Sequence, residues 1–102
     1  MSAAKNSQND NYFRLLAARL DPNIAVIDLH QAGTIPAAIE QLERELFLLY
    51  KEGKLYCRVV HGIGTGALAA AAHRVLPGHT LVKVWECEDG AACLVALERA
   101  VY

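Results

Sequence analysis

Three side chains suited to proton transfer stand close to one glycine-rich segment of this sequence. Asp28 and His30 are two residues apart at the end of an apolar run, and His61 directly precedes residues 62–66, Gly-Ile-Gly-Thr-Gly. Histidine has a pKa of about 6.5, so it takes up or releases a proton near neutral pH. A carboxylate beside a histidine fixes the tautomer of the ring and stabilises its charged form. We therefore expect Asp28, His30 and His61 to be catalytic residues.

The glycine-rich segment is suited to holding an anion. Glycine lets the backbone approach a phosphate closely, and free N–H groups at the start of a helix favour negative charge. The expected nucleic-acid or phosphate contacts are Gly62, Gly64, Thr65 and Gly66. The alternatives are a tight turn without a ligand and a dinucleotide-binding fingerprint. The fingerprint is disfavoured because it normally follows the first strand of a larger, doubly wound domain.

Two apolar runs place these residues at the ends of strands. Residues 24–29 and 55–60 are predicted strands, and the first has the β-branched composition of a strand buried on both faces. Between them, an amphipathic helix should begin after the capping residue Thr34 and end at Gly53. A strand-helix-strand order implies parallel strands and a right-handed crossover. Both histidines should then emerge at the sheet edge where α/β proteins bind ligands.

The remaining pattern completes a small α/β domain. Residues 67–76 favour a helix, and residues 80–86 and 92–97 favour two strands of a hairpin. The expected fold is a two-layer sandwich of order β-α-β-α-β-β with helices on one face of a mixed four-stranded sheet. Residues 23–102 form this domain, and residues 1–22 form an N-terminal tail with room for a short extra helix.

Within that N-terminal segment, residues 1–11 are polar and indicate a loose tail. A helix is expected over residues 12–20, where Phe13, Leu16 and Leu20 fall on one face.

Composition narrows the functional classes. The chain has 102 residues, a formal net charge of −1 and 54% hydrophobic residues, so it should fold and lacks a broad basic surface for nucleic acid. It shows neither a signal peptide nor an apolar run near the ~20 residues of a membrane span, which favours a cytoplasmic protein. Cys57, Cys87 and Cys93 match no common zinc spacing and are expected to be small core residues.

The two motifs resemble those of the small MutS-related (Smr) domain family. Residues 27–30, Ile-Asp-Leu-His, are similar to its LDLH motif, and residues 61–66 are similar to its HGxGxG motif. The resemblance covers roughly residues 24–98. It implies a fold like that of the C-terminal domain of bacterial translation initiation factor three. It also implies endonuclease activity, because family members nick DNA, often branched, and some cleave RNA. Asp28 and His30 would take part in cleavage, and His61 and the loop glycines would act at a phosphate.

Some positions depart from the family pattern. Ile63 stands where the family often has Lys, and Ala69 stands where a basic residue is usual. The family usually has Gly directly after the LDLH motif, whereas here Gln31 and Ala32 come before Gly33. Two cations that could hold phosphates are therefore missing.

Three functions remain open at this level. The first is an endonuclease that binds structured DNA or RNA weakly and cleaves it. For DNA cleavage, the candidate cofactor is Mg²⁺ at Asp28. The second is a non-catalytic nucleic-acid or phosphate-binding module. The third is a protein-interaction domain that uses the alanine-rich helix with Trp85 and Phe47. The oligomeric state is left open by the sequence.

Overall fold

A four-stranded sheet and three α-helices make up the part of the chain that the structure describes. The computed structural model describes residues 3–100, with side chains from residue 10 onward. In chain order the elements are α1 (Ala3–Leu20), β1 (Val26–Asp28), α2 (Ile35–Lys51), β2 (Tyr56–Val60), α3 (Ala67–Val75), a 3₁₀ turn (Leu76–Gly78), β3 (Val82–Cys87) and β4 (Ala92–Leu97).

The sheet is mixed, with strand order β1-β2-β4-β3. β1 pairs with β2 in parallel, whereas β4 pairs antiparallel with both β2 and β3. Parallel pairing of β1 and β2 follows from the helical crossover between them, and the antiparallel β3–β4 pair is the expected hairpin. The predicted α/β fold class is confirmed.

Local capping sets both ends of α2. The hydroxyl of Thr34 accepts a hydrogen bond from the N–H of Ala37 at 3.2 Å, and Pro36 lies in the first turn, where its missing N–H costs little. After the last turn, Gly53 takes a φ of +81°, the left-handed conformation common after a helix. Both predicted ends of this helix are confirmed.

The main core lies between the sheet and α2. Buried side chains alternate along β1 and β2, as the pleat requires, and they meet the apolar stripe of α2, whereas all residues of β4 are buried. The largest members of this core are Ile27, Leu29, Leu42, Leu46, Cys57, Val59, Leu76, Val95 and Leu97. Burial raises the pKa of Cys57 to about 12, so this thiol behaves as the small core residue that was expected.

The N-terminal helix is longer than the sequence indicated. α1 begins at Ala3, so a helix occupies most of the segment expected to be a loose tail. Residues 1 and 2 of that tail lie outside the described residues.

The face of α1 that packs on the protein also differs from the expectation. Ala18 is fully buried, whereas Phe13 and Leu20 are 62% and 70% exposed. α1 contacts β4 most extensively, on the face where Leu94 and Ala96 are fully buried. A small side chain on the helix lets it approach this strand closely, so the larger apolar residues point elsewhere. α1 thus covers the sheet face that α2 leaves free.

Two strands begin later than predicted because turns occupy their first residues. The N–H of Ile24 donates to Asp21 O at 3.3 Å, and β1 starts only at Val26. The N–H of Val82 donates to His79 O at 3.1 Å, so β3 starts there rather than at residue 80. Among the described residues, no helix is both long and apolar enough to cross a membrane.

Replacing Thr34 with Ala should destabilise the domain by about 1 kcal/mol, because an N–H at the start of α2 loses its acceptor. Thr34→Ser keeps a hydroxyl and is the matched control, with a change within about 0.5 kcal/mol. Urea denaturation of the three proteins measures the free energies of unfolding. Equal free energies for the Ala and Ser variants would contradict the role of this cap.

Candidate active site

The pairing of β1 with β2 brings the two sequence motifs together. Asp28 lies opposite Val60 in the parallel register, and the N–H of Leu29 donates to Val60 O at 2.8 Å. The residues that follow, His30 and the glycine loop, therefore leave the sheet side by side. A Cβ added to Gly62 would lie 3.5 Å from the Cβ of His30, so the two motifs are in contact.

Asp28 and His30 form a hydrogen-bonded pair at this edge. The Nδ1 atom of His30 lies 2.6 Å from Oδ1 of Asp28, and the backbone N–H of His30 donates to the same oxygen at 3.1 Å. An ionised carboxylate only accepts hydrogen bonds, so Nδ1 carries the hydrogen and Nε2 is left with its lone pair. Both side chains are about half exposed, at 52% for His30 and 47% for Asp28. The free ring nitrogen can therefore meet a ligand from solvent.

The hydrogen bond from the His30 side chain holds the pKa of Asp28 below its ordinary value. Burial, the second-largest effect, raises this pKa, whereas the backbone N–H of His30 and the charge of its ring lower it further. The carboxylate of Asp28 is therefore ionised at neutral pH, which suits it to orient the histidine.

A glutamine that the sequence analysis missed supports this pair from α2. The side-chain Nε2 of Gln41 donates to Asp28 O at 2.9 Å and to Glu45 Oε2 at 2.6 Å. Gln41 thus ties the end of β1 to the helix. The sequence places it one residue before the buried Leu42, but no spacing rule connects it to Asp28.

The base of the glycine loop is fixed, while its middle has free donors. The N–H groups of His61 and Gly62 both donate to Ala91 O, at 2.9 Å and 3.0 Å. The N–H groups of residues 63–66 donate to no acceptor in the described part of the chain. Gly66 precedes α3 with a φ of +85°, which turns the chain into the helix. This arrangement of free donors before a helix can hold an anion.

A cavity of about 380 Å³ joins the loop to His30. Its lining residues are His30, Ile35 and all of residues 61–69, and they include neither Lys nor Arg. The cavity thus gathers five of the predicted site residues around His30: His61, Gly62, Gly64, Thr65 and Gly66. Asp28 stands beside it through the contact with His30 and does not line it.

His61 is placed differently from His30. Its side chain is buried, with Nδ1 2.8 Å from Gly62 O and Nε2 3.7 Å from the Sγ of Cys93. Among the described residues, no hydrogen bond joins His61 to Asp28 or His30. The two predicted histidines thus share a cavity wall without forming a directly bonded pair.

Two of the three cysteines are not the simple core residues that were expected. A disulfide joins Cys87 and Cys93, which lie opposite each other in the β3–β4 register. His73 of α3 lies next to both sulfurs and was also missed. The sequence did contain a signal for the disulfide, because Cys87 and Cys93 lie on either side of the predicted hairpin turn at similar distances from it.

Removing the imidazole of His30 should raise the pKa of Asp28 toward its ordinary value of 3.8, since the largest cause of the lowering is lost. The rise is partial, because the backbone N–H at position 30 remains. The lowered pKa also means that this pair stabilises the fold above pH 3.8 and that the contribution disappears as pH falls through the folded-state pKa.

Carboxyl NMR titration of the wild type and His30→Ala measures this shift. Asp21 is the internal control, because its pKa is lowered mainly by the backbone N–H of Asn23 and by Tyr56 and should not change. An unchanged Asp28 titration in the variant would contradict the pairing.

Gly66→Ala should destabilise the domain by about 1–2 kcal/mol, because a side chain is strained at its positive φ. Gly90→Ala is the matched control, since neither site has atoms within 4 Å of the added Cβ and only Gly66 has a positive φ. Urea denaturation compares the two variants, and equal stabilities would show that the loop does not need this conformation.

Comparisons with known proteins identify the family of this chain. The model of the Smr domain family matches residues 27–95. The endonuclease MutS2 of Thermomicrobium roseum is 41% identical over 68 residues, which are 67% of this chain and 8% of that protein. The crystal structure of the Smr domain of Thermus thermophilus MutS2 superposes with a TM-score of 0.69 at 25% identity, covering 74% of this chain and 99% of that one.

The chain therefore spans only a small part of the MutS2 protein that it resembles. Residues 27–95, which the family model matches, contain both motifs. Because the family model covers more than half of the sequence and the solved Smr domain shares the fold, this chain belongs to the Smr domain family.

Proposed function

We propose that this domain binds nucleic acid and cleaves a phosphodiester bond within it. One observation carries the proposal: a single cavity is lined by His30, which has a free ring nitrogen, and by a loop with unbonded N–H donors. Proton transfer and anion binding are the two functions that phosphodiester cleavage requires. Membership of the Smr family and the name endonuclease carried by the MutS2 relative support the same activity.

The proposed mechanism begins with the phosphate in the loop. The N–H groups of residues 63–66 hold the non-bridging oxygens and stabilise the charge that develops on them. Nε2 of His30 accepts the proton of the attacking hydroxyl. Asp28, hydrogen-bonded to Nδ1 at 2.6 Å, keeps the ring in the required tautomer and stabilises the imidazolium that forms.

The nucleophile differs between the two nucleic acids. On RNA, the adjacent 2′-hydroxyl attacks the phosphorus and the bond to the 5′-oxygen breaks. The imidazolium of His30 then returns its proton to that leaving oxygen, which yields a cyclic phosphate and a 5′-hydroxyl. On DNA, water must attack, and Mg²⁺ would supply Lewis-acid assistance to that reaction. The second carboxylate oxygen of Asp28 takes part in no hydrogen bond among the described residues, and the side chain is half exposed. Asp28 thus fits one ligand position of this ion.

His61 receives a positioning role in this proposal. Its buried ring and its contact with Gly62 O, 2.8 Å away, suit it to fix the start of the loop rather than to exchange protons with the substrate. His30 is then the principal proton carrier.

A second candidate is a binding module without turnover. The observation that favours it is the lack of Lys and Arg in the cavity lining, which leaves binding to backbone donors. Phosphate contacts from cations normally dominate nucleic-acid affinity, so binding by either candidate should be weak.

Cleavage of labelled single-stranded RNA, duplex DNA and branched DNA tests the proposal, with Mg²⁺ and with a chelator. His30→Ala should lower the rate about 10²–10⁴-fold, the usual contribution of a proton-transfer group. Asp28→Asn should also lower it, because the ring loses its orienting carboxylate. The matched control is His79→Asn, which changes a histidine outside this cavity and should cleave like the wild type.

Circular dichroism checks that each variant is folded. Cleavage by His30→Ala at the wild-type rate would contradict the catalytic assignment. Binding of the same nucleic acids without cleavage by the wild type would instead support the non-catalytic module.

A further inference from the structure

A group of metal-binding side chains lies beside the glycine loop, outside the proposed catalytic pair. Ligand atoms of His61, His73 and Cys93 all lie within 4.8 Å of one another. The Sγ atom of Cys87 is 3.1 Å from Nε2 of His73 and is bonded to Cys93 in the disulfide, so it adjoins this group. Two imidazoles and two sulfurs therefore converge from the loop, α3, β3 and β4.

We propose that, when the Cys87–Cys93 disulfide is reduced, this domain binds Zn²⁺ through His61, His73, Cys87 and Cys93. Two thiolates and two neutral imidazoles in a tetrahedral arrangement are a donor set that selects zinc. Four protein ligands leave no open position, so the site is structural rather than catalytic.

The distances from Cys93 to the two histidines fit a single tetrahedral ion. Bond lengths of about 2.3 Å to sulfur and 2.0–2.1 Å to nitrogen place the two kinds of donor roughly 3.6 Å apart. The Sγ of Cys93 lies 3.7 Å from Nε2 of His61 and 3.6 Å from Nε2 of His73. Because one histidine nitrogen is near both sulfurs, the geometry suits one ion rather than a cluster of several.

The surroundings prepare the two histidines to bind a metal. The Nδ1 hydrogen of His61 is directed to Gly62 O, which leaves the lone pair on Nε2, the atom that faces Cys93. A backbone carbonyl in this role is a common partner of zinc-binding histidines. The ring of His73 packs against Trp85 at 5.2 Å between centroids, which restricts its orientation.

Access and burial are also suitable. Cys93 and His61 are buried, whereas His73 is exposed and gives an ion a route from solvent. Zinc here would tie α3 and the hairpin to the start of the glycine loop.

Reduction must precede binding. A phosphine reductant supplies two electrons to the S–S bond, so that phosphine, water and disulfide become a phosphine oxide and two thiols. Zinc then displaces one proton from each thiol to solvent, and the two thiolates neutralise its charge. Metal affinity should accordingly fall in acid, where protons compete for these ligands.

Titration of the full chain with Co²⁺ and Zn²⁺, after reduction by a phosphine, tests this inference. We expect one metal ion per chain. With Co²⁺, the visible bands of a tetrahedral ion and near-ultraviolet thiolate-to-metal absorption should appear. Zinc should displace the cobalt and raise Tm. The disulfide form should show none of these changes.

Variants of the ligands sharpen the test. His73→Asn changes an exposed residue and should lower metal affinity by at least about 100-fold. Loss of a group that only supports a ligand already lowers affinity by about 10–100-fold, and His73 is itself a proposed ligand. Cys93→Ser should act similarly, but its buried position can affect folding, so His73→Asn is the decisive variant. Cys57→Ala and His30→Asn are matched controls that should bind zinc like the wild type.

Failure of the reduced wild type to bind metal would overturn the inference, as would full affinity in His73→Asn or equal binding by the disulfide form. Metal lost in His30→Asn but kept in His73→Asn would place the ion at the proposed catalytic pair instead. Because metal binding is measured without nucleic acid, the result is independent of whether the domain cleaves a substrate.

Discussion

The parallel pairing of β1 with β2 is the constraint on which the rest of the site depends. It sets Asp28 beside Val60, so the chain leaves both strands at the same edge and His30 comes to lie against Gly62. The crossover helix α2 enforces this pairing by burying Leu42 and Leu46 against the sheet. A shift of one residue along β1 would turn Ile27 out of the core. Burial of the core and alignment of the two motifs are therefore consequences of the same register.

Much of this arrangement could be predicted because its determinants are local. Thr34 and Gly53 mark the ends of α2 by their own conformational preferences, and the apolar runs mark the strands. Features that depend on tertiary packing escaped prediction. The buried face of α1 is set by the small Ala18 fitting against β4, and the disulfide follows from the β3–β4 register. His61 and His73 approach each other only because α3 folds back over the hairpin, which no spacing in the sequence encodes.

The proposed chemistry relies on backbone groups rather than on cations. The cavity lining includes neither Lys nor Arg, and Arg58 of β2 is paired with Glu88 at 2.7 Å. Anion binding then depends on the N–H groups of residues 63–66 and on how firmly the loop is held. Ala91 O, which accepts from the first two loop amides, and His61 provide that support. The inferred zinc site would add to it through His61.

The proposed function requires that His30 and the glycine loop form one phosphate-binding surface. Amide chemical-shift mapping of the ¹⁵N-labelled domain with a short non-cleavable oligonucleotide tests it most directly. We expect shifts concentrated at His30 and residues 62–67, which saturate together with increasing ligand and weaken as salt is added. Shifts confined to another surface, such as the exposed side of α1, or shifts at the loop that leave His30 unchanged, would contradict it.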